Sequence, residues 1–212
     1  VLSQKECNLL IRYHKANQNK VTYDDPNIIY HGRRIPLETI NNLDIKRIIA
    51  KYQYDVISEI WSLYKKRCYP EQTEIMRWPI GVPQEMHIDV MGNEDEAATI
   101  PFTDFASILY LNDNFEEGTT YFEGGMEIQP VQGMVAIFEG MKFWHGVNAC
   151  KGNDRYTIPI WYTTEWKNME LQSHGGEGRA GSNRGTLPDM GSNEKNFTSL
   201  RNWWKDTYFP DL

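Results

Sequence analysis

Cysteine pairs, clustered positive charge and long apolar runs are all missing from this 212-residue sequence, and each absence closes off a class of protein. The three cysteines, Cys7, Cys68 and Cys150, are odd in number, far apart and in no CxxC or zinc-like spacing. A disulfide framework is therefore excluded, and reduced thiols in a reducing compartment, the cytoplasm, are expected. Lys65-Lys66-Arg67 is the one basic run, and the net charge is -7. Binding to phosphates rests on clustered Lys and Arg, so no nucleic-acid partner is expected. No apolar stretch approaches the roughly 20 residues that span a bilayer, and nothing at the start has the form of a signal peptide, so no membrane partner is expected either. The sequence begins at Val1 rather than Met, which leaves its native start open. Aromatic residues, by contrast, are plentiful: seven Trp and twelve Tyr suggest aromatic-lined surfaces or pockets, while plain core filling accounts for most of them.

The chain is long enough for one domain with a full core. Ser3 followed by Glu6 is a capping-box pattern, and Cys7, Leu10 and Ile11 share one face of a short helix ending near Asn17. Residues 18–41 read as irregular. From Asp44, the residues Ile45, Ile48, Ile49, Tyr52, Val56, Ile60, Leu63 and Tyr64 recur at helical spacing, predicting a helix of about five or six turns packed on a sheet. After Pro70 the texture changes. Glu74–Trp78, Ala106–Leu111, Thr119–Phe122, Met134–Phe138 and Tyr156–Tyr162 are short, aromatic or β-branched, and separated by Gly, Pro, Asn and Asp. Strands so short and so often interrupted, with no helix between them, suit a mainly β fold with flanking helices and a double-sheet jelly-roll core. Residues 172–193 hold six glycines and read as a loop before a short final helix carrying Phe197, Leu200, Trp203 and Trp204. The expected organisation is one structural domain: residues 1–74 as helical support, 75–166 as the catalytic core, and 167–212 as glycine-rich loop and short helix.

The first chemically informative residues are His87-Ile88-Asp89. On a strand, i and i+2 project from the same face, so an imidazole and a carboxylate stand side by side. His145, in Phe143-Trp144-His145-Gly146, is the natural third ligand. Two His and one carboxylate on one side of a metal form the facial triad of non-haem iron(II) oxygenases. Taken singly, His145 reads equally as a buried histidine satisfied by a backbone carbonyl. Ten residues on, Arg155, Thr157 and Trp161 share one face of an alternating segment. An inward guanidinium is suited to a bidentate grip on a carboxylate, either of a ligand or of a protein Asp or Glu.

In their order, His87-Ile88-Asp89, Tyr110-Leu111-Asn112, Glu117-Gly118-Thr119-Thr120-Tyr121-Phe122, Pro130 to Phe138, His145-Gly146 and Arg155-Tyr156 through Trp161-Tyr162 resemble the 2-oxoglutarate and iron(II)-dependent dioxygenases, and within them the prolyl 4-hydroxylase-like group. The resemblance covers residues 75–164. Its ending, with Arg155 and Trp161-Tyr162, looks more like the oxygen-sensing and bacterial prolyl hydroxylases than the collagen enzymes, where a Lys usually holds the co-substrate.

The resemblance implies a double-stranded β-helix core in which His87, Asp89 and His145 bind Fe(II). It further implies that 2-oxoglutarate chelates the iron, that its far carboxylate meets Arg155 and the Tyr110 hydroxyl, and that Thr120 and Trp161 line the pocket. Thr157 could add a hydroxyl by strand parity. The implied reaction consumes O2 and 2-oxoglutarate, with ascorbate as an optional accessory, and hydroxylates a C–H bond in a proline-containing peptide or protein substrate. Three departures bear on strand edges and substrate contacts: the family's usual Gly-Gly-Glu-Thr becomes Glu117-Gly118-Thr119-Thr120, Pro159 should interrupt its strand, and Trp78, a candidate substrate residue, stands where a tyrosine is common. Glu94-Asp95-Glu96 falls where relatives often carry a mobile substrate loop, and reads equally as a solvated turn. A free amino acid or small-molecule hydroxylase on the same scaffold, and a non-catalytic metal-binding cupin-like module, are the alternatives; Arg155 argues against the latter, which needs no carboxylate anchor.

Overall fold

A computed structural model describes residues 1–23, 32–89, 102–165 and 168–170. Glu94-Asp95-Glu96, the 172–193 segment and the expected final helix lie outside these residues. The first helix, α1 (Gln4–Ala16), begins at the anticipated capping box: the Glu6 backbone N–H donates to the Ser3 hydroxyl, and the Ser3 N–H donates to the Glu6 carboxylate. A second helix, α2 (Leu43–Tyr64), is capped by the Asn42 side chain and stopped by Lys65 in a left-handed conformation. Capping contributes about 1 kcal/mol. Each of Ile45, Ile49, Val56, Ile57 and Ile60, all buried, contributes about 1.5–3 kcal/mol, so packing dominates. The predicted apolar stripe runs one turn too far. Leu63 and Tyr64, in the last turn before the Lys65 cap, are exposed, and Tyr64 makes a tilted ring contact with Phe105.

Twelve strands occur among the described residues. The major sheet has the order β1 (Thr22–Tyr23), β2 (Arg33–Pro36), β3 (Tyr69–Trp78), β12 (Arg155–Thr163), β5 (Phe105–Tyr110), β9 (Val135–Phe138), antiparallel throughout. A minor sheet has the order β4 (Gln84–His87), β10 (His145–Val147), β7 (Thr120–Phe122), β8 (Glu127–Ile128). The short pair β6 (Glu116–Glu117) and β11 (Cys150–Lys151) completes the set. The expectation that residues 18–41 are irregular is corrected. β1 and β2 extend the major sheet there, and their signal is weak because Arg33-Arg34-Ile35-Pro36 buries a single apolar side chain, Ile35.

The two sheets enclose the interior of a jelly roll. The major sheet turns Tyr156, Ile158, Ile160 and Tyr162 outward onto α1 and α2, forming the larger apolar core. Its other face meets the minor sheet around Ala106, Phe122, Phe138 and Trp161. β12 therefore carries both cores by simple alternation. Pro159 does not break it. Pairing with β5 is continuous through Pro159↔Ile108, while the recorded partners on β3 pass from Thr157↔Met76 to Ile160↔Thr73, so the missing donor is absorbed on one side only.

Beyond β12 the chain is pinned by a buried polar cluster. Gln53 and Thr73 each donate to Glu170 at 2.7 Å. Burial pushes the Glu170 carboxyl from a glutamate's ordinary 4.5 up to about 8, against the opposing effect of those donors. The folded chain thus retains a proton that the unfolded chain releases. This contribution is complete below pH 4.5 and is lost as pH rises through 8. Chemical denaturation of the parent and of Glu170→Gln should show the parent losing, between pH 5 and 8, on the order of a few kcal/mol relative to the variant. Parallel pH profiles would contradict a neutral buried carboxyl.

Candidate metal centre and co-substrate pocket

His87 is the last residue of β4, and Asp89 lies just beyond the strand rather than on it. The pair nonetheless stands side by side, with His87 Nε2 3.8 Å from Asp89 Oδ1. β10 is the centre of this arrangement. It pairs with β4 through His145↔His87 and with β7 through His145↔Phe122, which brings His145 Nε2 to 3.7 Å from the same oxygen. Ligand atoms of His87, Asp89 and His145 all lie within 4.8 Å of one another.

Backbone carbonyls decide which imidazole nitrogens face inward. His87 Nδ1–H donates to the Glu85 carbonyl at 2.8 Å, and His145 Nδ1–H donates to the Phe143 carbonyl at 3.1 Å. Each ring is thereby fixed in the tautomer with Nε2 unprotonated, the usual way a protein orients a histidine ligand. The two sequence readings of His145, carbonyl-bound histidine and ligand, are thus compatible. Burial lowers the pKa of His145 to about 4; burial and then His145 itself lower that of His87. Both rings are neutral at pH 7.

Asp89 has a side chain only 4 % exposed, and burial raises its pKa. His87 and then the Trp161 indole, which faces the carboxyl, offset part of that rise, although the indole contact falls short of hydrogen-bond geometry and Oδ2 has no partner. A buried carboxylate between two neutral imidazoles, with one oxygen unsatisfied, is a donor set that a divalent cation completes. Gly140 is part of this setting and was not legible beforehand. A Cβ there would stand 3.0 Å from Asp89 Oδ2 and 2.9 Å from the Thr103 methyl, so any larger residue would press on the carboxylate and the methyl.

The expected carboxylate-binding residues form a second group. Arg155 is 1 % exposed, donates to the Thr120 hydroxyl at 3.0 Å and lies over the Tyr110 ring. Tyr110 and Thr120 share a hydroxyl–hydroxyl bond of 2.8 Å. Burial raises the Tyr110 pKa, so its hydroxyl stays protonated and able to donate. Thr157 pairs with Tyr110 in register on the same face. Thr120 pairs with Val147, two residues along β10 from His145, so the two groups are about 7 Å apart along the strands. Trp161 belongs to the metal end, against Asp89, not to the arginine end. Trp78, proposed for substrate, is buried and stands opposite Arg155 in register.

No model of a known protein family matches the chain. Over 102 residues, 42 % of this chain, it is 32 % identical to prolyl 3-hydroxylase 1 of Gallus gallus, and it spans 14 % of that protein's length. Among solved structures it is similar to a prolyl hydroxylase of Trichoplax adhaerens in complex with a hypoxia inducible factor oxygen degradation domain peptide fragment. There the TM-score is 0.62 at 16 % identity, over 80 % of this chain and 81 % of that one. It is also similar to a prolyl-4-hydroxylase of Pseudomonas putida, with a TM-score of 0.59 at 14 % identity, over 76 % and 88 %. The jelly roll of this chain is the fold of the prolyl hydroxylases and related 2-oxoglutarate/iron(II) oxygenases.

Proposed function

We propose that the chain is a 2-oxoglutarate- and Fe(II)-dependent dioxygenase that hydroxylates a prolyl residue in a peptide or protein. The observation that carries this reading is the convergence of two neutral imidazoles on one buried carboxylate, a short strand's length from a buried arginine. His87, Asp89 and His145 would hold the metal from one side. Arg155 would bind the far carboxylate of 2-oxoglutarate, with Thr120 and Tyr110 as hydroxyl donors fixing its approach. Bound there, iron and co-substrate supply the oxidation: O2 and 2-oxoglutarate are converted to succinate and CO2 as a C–H bond becomes C–OH.

The residues of the chain orient and shield. Carbonyl-held imidazoles keep their lone pairs inward, Gly140 and Trp161 confine the Asp89 carboxylate, and Phe122 and Phe138 pack on the His145 ring and keep bulk water from it. Met86, adjacent to His87, and Phe143, two residues before His145, are exposed apolar side chains available to a substrate chain. The prolyl assignment rests on similarity to prolyl 3-hydroxylase 1 and on the shared prolyl-hydroxylase fold.

His87→Ala, Asp89→Ala and His145→Ala should each abolish stoichiometric iron binding and succinate formation; three variants with parental iron content would sink the triad. Arg155→Ala should weaken 2-oxoglutarate binding by about 2–5 kcal/mol, and Arg155→Lys should weaken it less. Parental affinity in both would assign the anchor elsewhere. For the substrate, iron-loaded protein is incubated with proline-rich peptides and with free proline, and succinate and the oxidised residue are followed by mass spectrometry. Coupled oxidation of a peptidyl proline is expected. Oxidation of free amino acids alone would replace the prolyl reading with a small-molecule hydroxylase, and no turnover with any substrate would favour a non-catalytic metal site.

A further inference from the structure

Gln84 is buried, yet nothing in the reading above uses it. Its position on β4 is three residues before His87, a spacing that ordinarily sends two side chains to opposite faces of a strand. A β-bulge removes that opposition. β10 pairs through His145↔His87 and then Val147↔Gln84, so two steps on β10 face three on β4, and Gln84 is turned to the same side as His87. The bulge is held in place. The Tyr121 hydroxyl donates to the Gln84 carbonyl at 3.3 Å, and Tyr121 can cross β10 only because residue 146 is glycine, where a Cβ would lie 2.5 Å from the phenol.

The result is a contact of 3.1 Å between Gln84 Nε2 and His87 Nε2. Its polarity follows from the tautomer. His87 Nδ1–H is committed to the Glu85 carbonyl, so Nε2 is an acceptor and the Gln84 amide N–H donates to it. That lone pair is the one a metal needs. Resting on the metal site proposed above, we infer that Gln84 is a positioning residue that caps His87 in the metal-free protein and competes with the metal for it. Metal binding then requires the amide to swing away, and the bulge sets how readily it does so.

The test compares Mn(II) affinity, by electron paramagnetic resonance titration without co-substrate, in the parent, Gln84→Leu and Gln84→Met. Both variants remove the donor and keep comparable bulk. Because a competitor is lost, both should bind Mn(II) about three- to tenfold more tightly, the scale of one hydrogen bond. Damage to the site would instead weaken binding. In the metal-free protein, the His87 Nε2 nitrogen resonance should also move toward that of an unbonded imidazole nitrogen in both variants, while His145 Nε2 stays in place. Equal or weaker affinity in folded variants, or an unmoved His87 signal, overturns the cap while leaving the metal site standing. A parent that binds no Mn(II) overturns both.

Discussion

A carboxylate that is almost wholly buried, faced by two neutral imidazoles, is the constraint on which this molecule turns. Removing an ionised Asp89 from water costs several kcal/mol, and the attraction of His87 offsets only part of the rise that burial imposes on its pKa. The centre becomes favourable once a cation joins it. Surrounding features serve to hold the three side chains where a cation can be shared: carbonyls that lock each Nδ1, a glycine at 140 that admits the backbone beside Oδ2, and a central β10 flanked by the strands that carry His87 and Phe122.

The architecture separates this polar interior from the source of its stability. Tyr156, Ile158, Ile160 and Tyr162 face α1 and α2, and Arg155, Thr157 and Trp161 face the minor sheet, so one strand is at once a wall of the apolar core and the floor of the site. Most of the burial free energy is gained on the helical side. The interior can then hold a guanidinium, several hydroxyls and the His87, Asp89 and His145 side chains at a cost that the core offsets. The buried Tyr52–Ser107–Tyr162 hydroxyl chain lies on the helical side of the same sheet, where each hydroxyl finds a partner and none is left for chemistry.

Period and parity made much of this legible in the sequence. The capping box of α1 and the alternation of β12 are local signals that the structure keeps in full; the 3.6-residue stripe of α2 is kept except in its last turn, and His87 and Asp89 stand side by side although Asp89 lies beyond β4. What sequence could not supply depended on pairing. β2 looks irregular until β3 is beside it. Gln84 points the wrong way by parity until the register shift against β10 is seen, and Gly140 is an unremarkable turn residue until Asp89 arrives from fifty residues upstream. Trp161 shows the limit of a shared face: it lies on one side of β12 with Arg155, yet its indole stands against Asp89 rather than in the arginine group.

The most direct measurement is anaerobic visible absorption of the Fe(II)-loaded protein during titration with 2-oxoglutarate, where chelation of the keto acid to ferrous iron produces a charge-transfer band. The account predicts a band that saturates at one iron and one 2-oxoglutarate per chain and is lost in Asp89→Ala. Stoichiometric iron with no such band, or an undiminished band in Asp89→Ala, would contradict it.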